Sequence, residues 1–443
     1  MKPPMHKEYA SRRRRLLQQL GKQALAIIPT APTRLRNNDV EHPFRPDSDF
    51  FYLTGFTEPE AIALLLTGKR PNFILFCRER DPKLERWNGL RAGLEGARKL
   101  SGADQVFAIE EFEQRLPQLL EGRRRLYYAI GSHALLDRLL PQGIRRLQGK
   151  GRGGAQVPES LHNLDLPLHE MRLIKSPAEI ELMRQAASIS AQAHAQLMRW
   201  LRPGMMEYQL AARFEHECQQ QGARRQAYPA IVAGGANACI LHYTDNDCPL
   251  RAGDLVLVDA GGEYQGYAAD ITRTFPVNGR FSPEQRALYE LVLQAQQAAI
   301  EQVRPGNPCN APHEAAVQVL CRGLVKLGLL KGPASRQLKR GGHKRFFMHR
   351  TGHWLGLDVH DLGSYQQGDD WRCLEAGMVL TVEPALYIDA DDKKVDKRWR
   401  GIGIRIEDDV LVTAEGHQIL SQEAPKQVDE IESWMAQGQV LKA

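Results

Sequence analysis

One pattern occurs twice in the C-terminal part of the chain, and it constrains the fold more than any other feature. Residues Leu250–Ala260 read LRAGDLVLVDA, and residues Leu374–Pro384 read LEAGMVLTVEP. In both copies Leu, Ala and Gly align, a short apolar run follows, and an acid ends the run. A short apolar run bounded by turn signals predicts a buried strand. Each copy therefore predicts a buried strand that ends in a carboxylate, at Asp259 and at Glu383.

Helix signals precede both copies in the same order. The sequences SPAE at 176–179 and SPEQ at 282–285 are capping boxes with Pro at the first helical position, and RPG follows each predicted helix. Between Ile180 and Leu201 apolar residues recur every three or four positions, which predicts a buried helix face with His194 packed in the core. We infer an internal duplication, and a pseudo-twofold relation between the halves would bring the two acids together.

Each half carries a second acid on a further strand-like segment. Asp270 lies in ADITRTF at 269–275, and Glu407 lies in GIGIRIEDDV at 401–410. Carboxylates are rarely buried unless they are paired or coordinate a metal. Four acids at one site would repel one another strongly. One or two divalent cations would remove this repulsion.

Histidines accompany the acids. Residues 346–361 read FFMHRTGHWLGLDVHD and contain His349, His353 and His360. His349 and His353 have H-x-x-x-H spacing, but no Glu follows the first of them and two glycines argue against a zinc-protease helix. One imidazole with four carboxylates forms an oxygen-rich site that suits manganese and can also hold iron, cobalt or zinc.

The first part of the chain predicts a separate domain, because 443 residues exceed the roughly 250–300 that one core supports. Predicted strands alternate with predicted helices, namely the strands Ala24–Ile28, Phe50–Leu53, Ala61–Leu66 and Phe73–Cys77 and the helices Phe112–Leu120 and Ala134–Leu140. The Gly-rich segment Gln148–Gln156 is interpreted as part of a linker. The fold class is therefore α/β (α+β), with an N-terminal α/β domain at 1–165 and a second domain at 166–443.

Composition excludes several classes of protein. The 42% hydrophobic and 25% charged fractions are those of a globular chain. A net charge of +6 does not indicate nucleic-acid binding, and the arginine runs at 12–15 and 123–125 lack interleaved aromatics, so we interpret them as solvated helix faces. Seven cysteines without C-x-x-C spacing favour a reducing compartment. Without a membrane-length apolar run or a secretory signal, we expect a cytoplasmic protein with neither membrane nor nucleic-acid partners.

Several segments closely resemble the aminopeptidase P, or Xaa-Pro aminopeptidase, family. They are DLVLVDAGGEYQGYAADITRTF, FFMHRTGHWLGLDVHD, VLTVEPALYI and GIGIRIEDD. The segment HPFRPDSDFFYLTGF, at 42–56, resembles the signature of that family's N-terminal domain. The resemblance implies a pita-bread catalytic domain and a metal-dependent exopeptidase. Its substrates would be peptides with proline at the second position.

The resemblance also implies the residues of the site. Two manganese ions would be held by Asp259, Asp270, His353, Glu383 and Glu407. By the same comparison, Asp270 and Glu407 bridge both metals, Asp259 holds one, and His353 with Glu383 holds the other. The substrate would meet His242, His349 and His360, and Arg405 would support the ligands beside Glu407.

The expected mechanism is attack by a hydroxide that bridges the two metals. Glu383 would pass the proton to the departing proline nitrogen, and His360 or His242 would stabilise the oxyanion. Trp87, in RWNGLRAG, resembles a loop that reaches a neighbouring subunit's active site in family tetramers. One departure is Arg350, where family members often have Gly, and we expect it to narrow the pocket or contact a peptide carboxylate.

Three alternatives share parts of this pattern. Prolidase has the same ligands and cleaves Xaa-Pro dipeptides, but the long N-terminal domain and LHYTDND at 241–247 favour the aminopeptidase. Metal-free pita-bread proteins that bind peptides or histones lack the ligands, whereas all five are present here. Methionine aminopeptidase shares the fold but usually lacks so large an N-terminal domain.

Overall fold

The computed structural model describes residues 4–68 and 72–440. The chain divides into two compact units, the first ending at Arg172 and the second beginning at Leu173. Both units combine helices and strands, so the predicted mixed α/β architecture is confirmed. The predicted domain boundary after residue 165 stays a prediction.

The first unit contains a mixed six-stranded sheet. In spatial order its strands are Gln105–Ala108, Asn72–Cys77, Ile62–Leu66, Ala24–Pro29, Arg125–Tyr127 and Ser160–His162. The two central pairings, on either side of Ile62–Leu66, are antiparallel and the outer ones are parallel. A hairpin is formed by Leu35–Asn37 and Val40–Glu41. The helices are Pro4–Leu20, Ser48–Thr54, Pro82–Asn88, Gly93–Ser101, Phe112–Leu120, Ala134–Gln148 and Asp165–Leu173, with single 3₁₀ turns at Ile109–Glu111 and Gly151–Gly153.

The prediction of a strand at Phe50–Leu53 is wrong, because these residues lie in the helix Ser48–Thr54. The carboxylate of Asp47 caps this helix by accepting a 2.9 Å hydrogen bond from the backbone N–H of Phe50. Gly55 ends the helix in the left-handed conformation, with φ of 63°. These two capping residues override the β preference of the aromatic side chains between them.

Two further interpretations of the N-terminal part are wrong. The segment Gln148–Gln156 is no linker between domains, since the strand Ser160–His162 after it pairs within the first sheet. The arginine run at 12–15 is only partly solvated, because Arg12 and Arg13 are buried. Their guanidinium groups donate hydrogen bonds of 3.1 and 2.7 Å to the carbonyls of residues 52 and 53, at the end of a helix. Carbonyls at a helix end have no intrahelical partner, which explains why cations are buried there.

The second unit begins each of its halves with a pair of helices. Both predicted capping boxes are formed, at the starts of the first and third helices. The helices of the unit are Pro177–Trp200, Glu207–Gln220, Pro283–Ile300, Ala311–Lys326, Ala334–Arg340 and Val428–Val440, with 3₁₀ turns at Gly235–Cys239, Gly342–Arg345 and Lys397–Trp399. His194 is fully buried, as predicted, and its Nε2 lies 3.0 Å from the carbonyl oxygen of Ala260.

A three-stranded antiparallel sheet follows each helix pair. The first consists of Ile231–Gly234, Leu255–Asp259 and Thr272–Pro276, and the second of Val379–Val382, Asp408–Val412 and His417–Ile419. Smaller antiparallel sheets are formed by Arg225–Gln226, Gly262–Tyr264 and Tyr267–Ala268, by Gln366–Gln367 and Asp370–Trp371, and by Ala385–Ile388 and Ile402–Arg405. Across the described residues, no helix is both long and apolar enough to span a bilayer.

Candidate metal centre

Both acids of the repeated pattern lie where the sequence predicts them. Asp259 is the last residue of the strand Leu255–Asp259, and Glu383 directly follows the strand Val379–Val382. Both strands are buried and nearly all aliphatic, so a carboxylate is tolerated only at the strand end, beside other polar groups. The prediction of a buried strand that ends in an acid is confirmed for both copies.

The second pair of acids lies next to the first. Asp270 precedes Thr272 by two residues, and Thr272 pairs with Asp259 across the sheet. Glu407 directly precedes the strand Asp408–Val412, and its Oε2 accepts a 2.7 Å hydrogen bond from Oγ1 of Thr272. Asp259, Asp270 and Glu407 are all buried. Strand pairing and one threonine therefore hold three acids together.

His353 joins the acids from a loop that forms no helix, as its glycines predict. Its Nε2 lies 3.3 Å from Oδ2 of Asp270 and 3.6 Å from Oε1 of Glu383. Its Nδ1 lies 3.0 Å from the carbonyl oxygen of Trp354, which can only accept, so Nδ1 carries a proton and Nε2 faces the acids. Gly352 allows this approach, because a Cβ there would clash with the backbone of the neighbouring strand.

Three of the predicted ligands come close enough to share one ion. One donor atom each from Asp270, His353 and Glu407 lies within 4.8 Å of the other two. Asp259 and Glu383 flank this group, and Glu383 Oε1 accepts a 3.3 Å hydrogen bond from Oγ1 of Thr381. The structure thus brings all five predicted ligand side chains to one place.

Crowding of buried acids raises their pKa values. Burial, followed by the charges of Asp270, Glu383 and Asp259, raises the pKa of Glu407 well above its usual range. Burial also raises the pKa of Asp259, and it raises that of Glu383 to about 7. Neighbouring buried carboxylates repel one another when all are ionised, and bound cations stabilise the ionised form by removing this repulsion. The donor set and its electrostatics therefore fit divalent metal ions.

One buried cation, Arg405, already contacts this cluster. Its Nη2 donates a 2.6 Å hydrogen bond to Oδ2 of Asp259. Its Nε donates a 3.1 Å bond to Oγ1 of Thr272, the hydroxyl that holds Glu407. Arg405 therefore orients Asp259 directly and Glu407 through Thr272.

His349 lies on the far side of Glu383. Its Nδ1 is 2.7 Å from the carbonyl oxygen of Arg350 and 3.7 Å from Oε2 of Glu383, and its Nε2 is 3.0 Å from Oη of Tyr387. Burial and the charge of Arg405 lower the pKa of His349 to about 4. His349 is therefore a neutral imidazole at physiological pH, with its N–H directed towards a carbonyl and a carboxylate.

The other two predicted histidines, His242 and His360, are exposed to solvent within the site. The ring of His360 packs edge-on against that of His353, with centroids 4.3 Å apart. Both exposed histidines line a cavity of about 920 Å³.

This cavity opens directly beside the acids. The acids form one part of its wall, and apolar or aromatic side chains form another, including Ile231, Leu241, Trp354, Val359, Leu380 and Tyr387. A largely apolar cleft with a few convergent polar groups is the usual form of a small-ligand site.

Comparison with known proteins agrees with this geometry. Residues 181–414 match metallopeptidase family M24, and residues 9–127 match the aminopeptidase P N-terminal domain. The chain is 45% identical to the Xaa-Pro aminopeptidase of Escherichia coli (strain K12) over 430 residues, which cover 97% of each chain. The chain belongs to the aminopeptidase P group of family M24. The family resemblance inferred from the sequence is confirmed.

Solved structures of aminopeptidases P share the fold of this M24 member. Aminopeptidase PepP of Pseudomonas aeruginosa is 52% identical, with a TM-score of 0.97 over 98% of this chain and 99% of that one. A variant of Escherichia coli aminopeptidase P in complex with substrate is 44% identical, with a TM-score of 0.96 over 98% and 99% of the two chains.

Two polar residues of this M24 member were missed by sequence reasoning. Oη of Tyr228 lies 2.6 Å from Oδ1 of Asp259 and 2.5 Å from Oδ1 of Asp270, and so the phenol joins the two acids. Burial raises the pKa of Tyr228 well above its usual range, so it remains a hydrogen-bond donor. The buried carboxylate of Asp409 accepts from the backbone N–H of Asp270 at 3.2 and 3.3 Å. Asp409 could have been noticed as the last acid of the EDD run, whereas nothing local marks Tyr228.

The two remaining residues singled out from the sequence lie in different units. Arg350 lines the cavity of the second unit, as expected. Trp87 lies on the helix Pro82–Asn88 of the first unit, and its side chain is 86% exposed.

Proposed function

We propose that this chain is a metal-dependent exopeptidase that releases the N-terminal residue from peptides with proline at the second position. The observation that carries the proposal is the convergence of four acids and one imidazole on a cavity with apolar walls. The Xaa-Pro aminopeptidase of Escherichia coli described above, which is similar over 97% of the chain, supports it.

We propose two divalent cations, both manganese, as the cofactors. Asp270 and Glu407 would bridge them, Asp259 would hold one, and His353 with Glu383 would hold the other. Four carboxylates and one imidazole are the hard, oxygen-rich donor set that manganese prefers. When bound, such cations would lower the pKa of a coordinated water, so that hydroxide is available at neutral pH to attack the scissile carbonyl.

Side chains of this chain would transfer the proton and stabilise the oxyanion. Glu383 lies between His353 and His349, at 3.6 and 3.7 Å, so its two oxygens face different partners. One oxygen can stay on the cation side while the other carries a proton to the departing proline nitrogen. His360 and His242, exposed in the cavity, would donate hydrogen bonds to the carbonyl oxygen as charge develops there.

Proline after the scissile bond is accommodated by a wall without strong acceptors. Proline has no amide N–H, so a pocket built for it needs apolar surface rather than a hydrogen-bond acceptor. Trp354, Val359 and Tyr387 supply such surface beside the acids. The Tyr387 hydroxyl is already engaged by Arg405 at 2.7 Å.

We also propose that the chain forms a cytoplasmic homotetramer that binds neither membranes nor nucleic acid. An exposed tryptophan such as Trp87 is the kind of side chain that a partner subunit covers. The N-terminal domain at 1–165 would then present Trp87 to a neighbour's active site.

A panel of three peptides tests the proposed activity. Xaa-Pro-Yaa, Xaa-Pro and Xaa-Ala-Yaa are compared at equal concentration in the presence of Mn²⁺, and the products are identified by mass spectrometry. We expect release of the first residue from Xaa-Pro-Yaa at the highest rate. Preference for the Xaa-Pro dipeptide would make the chain a prolidase, and efficient cleavage of Xaa-Ala-Yaa would overturn the assignment to proline.

A further inference from the structure

The guanidinium group of Arg350 forms part of the cavity wall without a carboxylate partner among the residues that the structure describes. Arg350 is exposed, and it directly follows His349, whose ring contacts Glu383 at 3.7 Å. A cation with no counter-ion, one residue from the reacting groups, is suited to bind an anionic part of the substrate.

Two neighbours hold this guanidinium in place. Its Nη2 donates to Oδ1 of Asn310, and its Cζ lies 4.8 Å from the ring centroid of Trp371. Asn310 is itself oriented, because its Nδ2 donates a 2.7 Å hydrogen bond to Oε1 of Glu314. A guanidinium has five N–H donors in a planar fork, so one edge is anchored while others stay available for a bidentate carboxylate.

We infer that Arg350 binds the C-terminal carboxylate of tripeptide substrates and so favours a tripeptide acid over its C-terminal amide. The inference rests on the proposed function. An extended chain advances about 3.3–3.6 Å per residue, which places a tripeptide carboxylate about 7 Å beyond the scissile carbonyl. A dipeptide carboxylate would lie only half as far from that carbonyl.

Arg372, which follows Trp371 in the sequence, is less suited to bind a substrate carboxylate. Arg372 is 6% exposed, and its Nη2 lies 3.3 Å from Oε1 of Glu375. Its charge is already compensated by a carboxylate. Among the described residues, two arginines line the cavity, and Arg405 is already paired with Asp259 at 2.6 Å. Arg350 is therefore the arginine of the cavity wall that can pair with a substrate carboxylate.

The test compares a tripeptide acid, Xaa-Pro-Yaa, with its C-terminal amide, Xaa-Pro-Yaa-NH₂. KM and kcat are measured for the wild type, Arg350→Met and Arg350→Lys, with Arg340→Met as a matched control at an exposed helix end. For the wild type and the control we expect KM to be at least about 10-fold lower for the acid, as a charged hydrogen bond provides. Arg350→Met should bring the ratio close to one, and Arg350→Lys should give an intermediate ratio because it keeps the charge without the fork.

Two results would overturn the inference in different ways. If Arg350→Met keeps the wild-type preference for the acid over the amide, Arg350 is not the carboxylate receptor, and the proposed activity stands. If the metal-loaded wild type cleaves neither peptide, the proposed function fails, and the inference fails with it.

Discussion

In the absence of divalent cations, the second unit should lose stability as the pH rises from about 7 to about 9. Burial, together with the charges of Asp270 and Asp259, raises the pKa of Glu383 from 4.5 to about 7. Burial opposes protonation of His353, but its hydrogen bond to Asp270 and the charge of Glu383 raise its pKa from 6.5 to about 9. Both groups therefore bind a proton more tightly in the folded protein than in the unfolded chain.

The direction of this change in stability with pH follows from the linkage between proton binding and folding. A group whose pKa is higher in the folded state contributes stability that is fully present below the unfolded pKa and is lost as the pH passes the folded one. The windows are 4.5 to about 7 for Glu383 and 6.5 to about 9 for His353. Below pH 6.5 three histidines act in the opposite direction, because burial lowers the pKa of His194 to about 3 and those of His313 and His349 to about 4. The loss of stability is therefore expected above about pH 7. Because the side chains of Glu383 and His353 lie 3.6 Å apart and their titrations interact, we count one loss rather than two. At 1.36 kcal/mol per pKa unit, this loss is about 3 kcal/mol.

The assay is thermal unfolding of chelator-treated, dialysed protein between pH 7 and pH 9, with and without Mn²⁺. About 2 kcal/mol of this loss falls between pH 7 and pH 9, and it lowers the melting temperature by about 4–8 °C for a domain of this size. With Mn²⁺ at 100 times its Kd, each occupied site adds about 2.7 kcal/mol, and metal affinity increases as the ligands deprotonate. A metal-free melting temperature that is flat or rises over this range would refute the account of the crowded acids.

Three other variants probe separate parts of the site. Glu407→Ala should lose metal from both positions, and full occupancy by elemental analysis would disprove its bridging role. His360→Ala should keep its metals but turn over about 100- to 1,000-fold more slowly, so near-normal turnover or lost metal would remove it from the oxyanion role. Arg273→Met should lower the free energy of unfolding by about 3–5 kcal/mol in denaturant titrations, because it removes one of the two cations that pair with Asp408, which is fully buried and 2.7 Å from Arg273. An unchanged midpoint in that titration would show that Lys426 alone, 2.5 Å from Asp408, compensates the charge.

The features that could be predicted from the sequence are those with local signals. The strands that end at Asp259 and Glu383 follow from short aliphatic runs between turn residues, and the capping boxes follow from side chains three positions apart. The convergence of Asp259 and Glu383 follows from the repetition, because repeated units that pack together place equivalent residues near one another.

Features that depend on distant contacts could not be predicted. Tyr228 contacts two acids that lie 31 and 42 residues further along the chain, and its own segment contains no motif that indicates these contacts. Arg12 is buried because its guanidinium reaches the carbonyl of Tyr52, 40 residues away, whereas a run of four arginines otherwise indicates a solvated surface. The segment Ser48–Thr54 is helical although its aromatic residues favour a strand, because both ends of the helix are capped.

The central claim is that five side chains hold two divalent cations on which peptide hydrolysis depends. The most direct measurement is a titration of metal-free protein with Mn²⁺ that follows bound metal and release of the N-terminal residue from Xaa-Pro-Yaa in the same samples. We predict no hydrolysis without metal, saturation at two ions per chain, and full activity at that point. Full hydrolysis by the chelated protein, or saturation without any peptide cleavage, would contradict the claim.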